Sequence, residues 1–155
     1  MNLDVRKSGV SGAGTMGAGI AVTVARAGIA TVLHDVSKDA LERARRQIGE
    51  FFDTSVRKGK LTAAAAERSV SALEFTTSHE ALSDCDVVVE AIYEHLPAKH
   101  ELLSALDRVC KHETLFLTNT STLSIAEIAA GSGRPDRVVG AHYCLPAQLM
   151  RLVEM

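Results

Sequence analysis

Gly12, Gly14 and Gly17 stand at G-x-G-x-x-G spacing in Gly12-Ala13-Gly14-Thr15-Met16-Gly17, between a short strand-like run and a long small-residue helix. A turn of this kind brings backbone N–H groups and the positive end of a helix against a diphosphate. The first glycine permits the tight turn, the second lets a pyrophosphate approach where a Cβ would intrude, and the third lets the helix pack close to its strand. Short glycine patterns also arise as plain turns, so the residues downstream decide. Asp35 ends the second strand 18 residues beyond Gly17, the reach of a carboxylate that hydrogen-bonds an adenosine ribose. That acid would repel a 2′-phosphate, and Val36 and Ser37 supply no arginine to hold one, so the pattern favours NAD over NADP. More polar groups fall at later strand ends: Glu90, Glu94 and Lys99 after the fourth strand, Asn119 and Ser121 after the fifth, His142 after the sixth.

The elements that must position these groups alternate. The opening strand is expected at 4–11, although Ser8, Gly9 and Ser11 surround a lone Val10 where a doubly buried strand should be apolar. Buried hydroxyls there need partners. A helix is predicted at 15–27, with Met16, Ile20, Val24 and Ala27 on one face and Gly28 as its stop. A strand follows at 30–34. Ser37 caps a long helix to about Lys58, buried along Leu41, Ala44, Ile48, Phe51 and Phe52, and Thr62 starts a short one. Strands are expected at 73–77, 86–91, 114–118 and 137–141, with helices at 97–110 and 125–130 and an extended run at 150–155. Alternation of this kind means a doubly wound, mostly parallel α/β sheet of Rossmann type, here with an extra helical pair after the second strand. Ligands of such sheets bind at the strand ends.

At 155 residues and 46% hydrophobic content the chain reads as one globular domain with a core of its own. A net charge of −2 gives no electrostatic footprint for nucleic acid or a membrane surface, and six aromatics without Trp give no base-stacking platform. The first ten residues lack a leader's apolar core, and no apolar run reaches membrane-spanning length. Cys85, Cys110 and Cys144 are odd in number and widely spaced, which suggests neither disulfides nor a zinc site but reduced thiols in the cytoplasm. The hinge bearing Arg57, Lys58 and Lys60 reads either as a solvated helix end or as a place for a phosphorylated substrate.

Taken with GAGTMGAGIA, the strings EAIYEHLPAK, NTSTLSI, RPDRVVGAH and LMRLVEM resemble the NAD-binding domain of the 3-hydroxyacyl-CoA dehydrogenases, from about Lys7 to Met155. The resemblance implies NAD-dependent oxidation of L-3-hydroxyacyl-CoA to 3-ketoacyl-CoA, with His142 as base and Glu154 orienting its imidazole. It makes Ser121 the serine that touches the substrate hydroxyl and the cofactor, Glu94 and Lys99 cofactor-side residues, and Lys58 a lysine near the CoA. A histidine titrates in the working range, and a carboxylate on its other nitrogen fixes the tautomer and stabilises the imidazolium. Twelve residues, with Pro146 in the turn, allow an antiparallel return that brings His142 and Glu154 together.

His142-Tyr143-Cys144-Leu145-Pro146 stands where the family usually reads H-F-F-N-P, and Phe51 where some members carry a CoA-contacting serine. Leu145 replaces an asparagine near the substrate, which bears on CoA specificity and chain length. Cys144 reads as a small apolar substitute for an aromatic. Family members continue into a helical domain that completes the cleft and makes the dimer, so residues 1–155 are expected to bind NAD, turn over poorly and expose apolar surface that promotes self-association. Two other functions fit the residues: a dehydrogenase of a non-CoA 3-hydroxy acid, of carnitine or gulonate type, and a dinucleotide-binding module without catalysis.

Overall fold

The computed structural model describes residues 4–155; residues 1–3, part of the N-terminal stretch read for a leader, lie outside the described residues. Six parallel strands form the sheet: β1 (Lys7–Ser11), β2 (Ala30–His34), β3 (Leu73–Thr76), β4 (Val87–Glu90), β5 (Leu115–Thr118) and β6 (Val138–Gly140). Their order is β3-β2-β1-β4-β5-β6, with the direction of winding reversing between β1 and β4. A two-stranded antiparallel ribbon, β7 (His142–Tyr143) with β8 (Val153–Glu154), follows apart from the sheet. The expected Rossmann-type sheet is present, and so is the extra helical pair.

Period-two alternation divides the strand side chains between two layers. Val10, Leu33 and Val89 face α1 (Thr15–Arg26), α2 (Lys38–Arg57) and α3 (Ala63–Ser71), where they join Ile20, Leu41, Ile48 and Phe52 in one core. Val32, Val88 and Phe116 face α4 (Leu96–Val109) and α5 (Ile125–Ala130), against Leu103, Leu106 and Ile128. The small residues of β1 now have a reason. Gly9 lies under Leu82, whose Cδ2 would be 2.5 Å from any Cβ there. Ser11 finds its partner in the buried His34, with Oγ 2.9 Å from Nδ1.

Local chemistry sets the helix starts. Ser37, Thr62 and Ser124 each cap the helix that follows by accepting a backbone N–H, from Ala40, Ala65 and Glu127. Several bounds differ from expectation. β1 begins at Lys7 rather than residue 4, because the Arg6 and Lys7 amides turn to Asp86 Oδ2 at 2.8 and 3.0 Å. α4 begins at Leu96, behind His95 as its cap. The 137–141 strand shortens to Val138–Gly140, since Pro135 opens a 3-10 turn just before it. The 150–155 run is extended only at Val153–Glu154, because Leu149 and Met150 donate back to the Pro146 carbonyl. Phe51, expected inside, is only partly buried.

Candidate active site

β1 leaves the sheet through Gly12 at φ 108°, a conformation open to glycine, where a Cβ would strike the Ala91 carbonyl at 2.5 Å. Gly12 N–H donates to His34 O at 2.8 Å, tying the loop to the end of β2. Gly17 packs against this turn so tightly that a Cβ would lie 1.7 Å from Gly12 O, whereas the Cβ position of Gly14 opens onto free space. α1 then starts at Thr15 without a side-chain cap or an acidic residue in its first turn. Its leading N–H groups and positive end therefore suit a diphosphate, and the bare face of Gly14 admits one. Met16 turns its side chain to the core.

Asp35 stands beside this loop. Its Oδ2 accepts from Ala13 N at 2.7 Å and its Oδ1 from Ser37 N at 2.8 Å. Two bonds of about four that a carboxylate can accept fix the group and leave capacity for a ribose diol. A cleft of about 590 Å³ runs between the glycine loop and the loop after β4, with Asp35, Arg43, Ile92, Tyr93 and Leu102 among its walls. Arg43 is a cation that the sequence reading missed. It lies one turn beyond Ala40 on the α2 face turned to the cleft. His34 forms part of the floor with His79, ring centroids 4.3 Å apart. Burial, and then the nearby His79, lower its pKa to about 4, so it is neutral there.

The groups after β4 and β5 form a second cluster. Glu94 Oε1 accepts from Thr120 Oγ1 at 2.5 Å, from the Ser121 and Thr122 amides at 3.0 and 3.1 Å, and from Thr122 Oγ1 at 3.2 Å. Burial pushes the Glu94 carboxyl up, but these donors and Lys99 outweigh it and hold the pKa at about 2. Lys99 is buried, with its ammonium against Glu90 and Glu94. Asn119 accepts the Tyr143 amide at 2.8 Å, which fixes β7 to the end of β5. Neither Asn119 nor Glu90 received a role from sequence; the signal was their place at strand ends.

Across the ribbon His142 pairs with Glu154 in register, and Nδ1 lies 2.7 Å from Glu154 Oε2. The expected antiparallel return is therefore there. Lys58 lines a neighbouring depression with Phe51, Lys60 and Leu149, which shares Thr15 and Gln47 with the cleft. Leu145 is 62% exposed, and Cys144 is half-buried beside it. The other two thiols are buried, and burial pushes Cys85 up to about 12 and Cys110 to about 11. Among the described residues no helix is long and apolar enough to cross a membrane.

The family model described as 3-hydroxyacyl-CoA dehydrogenase, NAD binding domain, matches residues 7–155. The chain belongs to that family. It is 43% identical over 155 residues to a 3-hydroxyadipyl-CoA dehydrogenase of Escherichia coli, covering 100% of this chain and 33% of the relative. A probable 3-hydroxybutyryl-CoA dehydrogenase of Bacillus subtilis is 37% identical over 153 residues, covering 99% and 53%. The crystal structure of 3-hydroxybutyryl-CoA dehydrogenase from Escherichia coli K12 superposes with a TM-score of 0.94 at 44% identity, over 97% of this chain and 32% of that one. The chain thus spans a third to about half of the relatives it matches. As an NAD-binding domain of this family, it takes NAD as the dinucleotide for which the glycine loop and Asp35 are shaped.

Proposed function

We propose that the protein oxidises an L-3-hydroxyacyl-CoA to the 3-ketoacyl-CoA with NAD, with His142 as general base. The hydrogen bond between His142 Nδ1 and Glu154 Oε2 carries this reading. It commits Nδ1 to the carboxylate and leaves Nε2 to take the proton of the substrate hydroxyl. Glu154 then stabilises the imidazolium, as the carboxylate of a Ser-His-Asp triad does without the nucleophile. When bound, NAD accepts the hydride from C3. Ser121 orients the hydroxyl from the loop that Glu94 fastens. Gly12, Ala13, Gly14, Thr15, Met16 and Gly17 receive the diphosphate, Asp35 the ribose, and Lys58 a phosphate of CoA.

The relatives named above act on 3-hydroxyadipyl-CoA and 3-hydroxybutyryl-CoA, which supports a CoA thioester as substrate class. Exposed Leu145, where the family carries asparagine, favours a second reading in which the acyl carrier is not CoA. The rest of the acyl cleft and a homodimer contact would come from a helical domain like the part of the relatives that this chain does not span. Unpaired thiols agree with a cytoplasmic setting.

The test measures NADH formation with 3-hydroxybutyryl-CoA against free 3-hydroxy acids, together with NADH binding. The 155-residue chain should bind NADH and turn over the thioester slowly. His142→Ala should lower turnover by about 10²–10⁴-fold, the worth of a general base, with NADH affinity retained. Full activity in that variant overturns the assignment of the base.

A further inference from the structure

Glu90, Glu94 and Lys99 look in sequence like three charges scattered near a strand end. Two of them are sealed in the protein, Glu90 at 0% and Lys99 at 1% exposure. Ions so placed are tolerated only when paired and fully hydrogen-bonded. Here every donor of the ammonium is used. Lys99 Nζ lies 2.7 and 2.8 Å from Glu90 Oε1 and Oε2, and 3.2 Å from Glu94 Oε2. Glu90 is held in turn by two strands' ends: Oε1 accepts from Ile92 N at 2.9 Å, and Oε2 from Thr118 Oγ1 at 2.6 Å.

The two oxygens of Glu94 are divided. One takes Lys99, and the other takes four bonds from Thr120, Ser121 and Thr122. A carboxylate free to rotate about its last bond would exchange its oxygens and let go of the loop; the ammonium prevents that rotation. Lys99 is itself a flexible side chain, straightened and aimed by the two-pronged contact with Glu90. Fastening α4 to the sheet does not require any of this, because Leu102, Leu103 and Leu106 already bury its inner face. A buried ion cluster contributes less to stability than apolar packing of the same volume. What it supplies is a fixed place for one carboxylate.

We propose that Glu90 is a positioning residue: through Lys99 it locks Glu94, and Glu94 in turn sets the backbone at Ser121 and Thr122. Lys99 acts as the link of this relay, between Glu90 and Glu94. The relay rests on the reading above only in that Ser121 meets the substrate there.

The test replaces Glu90 by Gln, which keeps the shape and the bond to Ile92 but removes the charge that aims Lys99. Amide hydrogen exchange in the 155-residue chain should quicken at Ser121 and Thr122 by about tenfold or more, with α1 and α5 amides changed by less than about twofold. In turnover assays kcat should fall about tenfold with KM for NAD unchanged, and Glu90→Gln should add nothing to Ser121→Ala, as expected of residues acting as one unit. Unchanged exchange at Ser121 and Thr122, or losses that multiply in the double variant, overturns the proposal. If the Gln variant does not fold, Glu90→Asp keeps the charge and retracts it by one methylene, and the same local exchange signature is required. The exchange readout needs no turnover, so it stands or falls separately from the catalytic role of His142.

Discussion

Asp35 sits with both oxygens on backbone N–H groups, and Arg43 lines the same cleft one turn into α2. The carboxylate therefore does two things, holding the Ala13 corner of the glycine loop and presenting negative charge to the ribose. Asp35→Ser should weaken NAD binding by about 10–100-fold, the net worth of a charge-assisted hydrogen bond. The same change removes the charge that opposes Arg43, so NADPH should bind the variant at least as well as NADH does. Parallel fluorescence titrations of the two cofactors check this; a variant that still rejects NADPH would deny Arg43 a phosphate-binding role. The carboxylate was legible in sequence because a strand end and a fixed spacing from the glycines announce it. Arg43 was not, since which face of α2 turns to the cleft depends on how the helix packs. Glu90 and Lys99 were harder still: a sequence marks charged residues as solvated, and only tertiary pairing reveals the burial of these two.

The strand–loop–helix unit of β1, the glycine turn and α1 behaves as one part, because its backbone atoms touch one another directly. A methyl at position 17 would come within 1.7 Å of Gly12 O, and backbone cannot swing aside as a side-chain tip can. Gly17→Ala should cost about 1–3 kcal/mol of stability through overpacking. It should also remove detectable NADH binding, since the first turn of α1 must lift from the loop. Thermal unfolding and NADH titration measure the two effects, and wild-type affinity in the variant would show that the loop yields. At this scale α1, β2 and α5 were legible almost to the residue, because each is delimited by glycine or by a hydroxyl cap. The strands β1, β4, β5 and β6 proved shorter than their apolar runs. At the start of β4, Asp86 also turns its carboxylate to the Arg6 and Lys7 amides. A parallel sheet hides this in sequence, because its strands are apolar throughout.

Over the whole molecule, acid should act at several points in one direction. His34, lowered from 6.5 to about 4 by burial and by His79, is neutral when folded and takes up its proton more readily when unfolded. Its contribution to stability is thus present above 6.5 and is lost as pH falls from there toward 4. Asp86 is held at about 2 by Lys111 and the Lys7 and Arg6 amides, and Glu94 also at about 2 by the donors that outweigh its burial. These depressed carboxylates contribute above their ordinary values of 3.8 and 4.5, and that contribution fades as pH falls toward 2. Urea midpoints should therefore hold steady above pH 6.5, decline between 6.5 and 4, and decline again below. A midpoint constant down to pH 4 would contradict the placement of His34.

The sealed ammonium of Lys99 also makes the protein a recorder of its own opening. Amine-acylating reagents reach Lys38, Lys58 and Lys60 at once, since these lie on the surface. Lys99 can be acylated only while α4 is parted from the end of β4 and the ammonium has given up its proton and both carboxylates. The fraction of chains acylated at that one position, followed over time, therefore counts how often this half of the molecule comes apart, and a ligand that braces the cleft should slow the count.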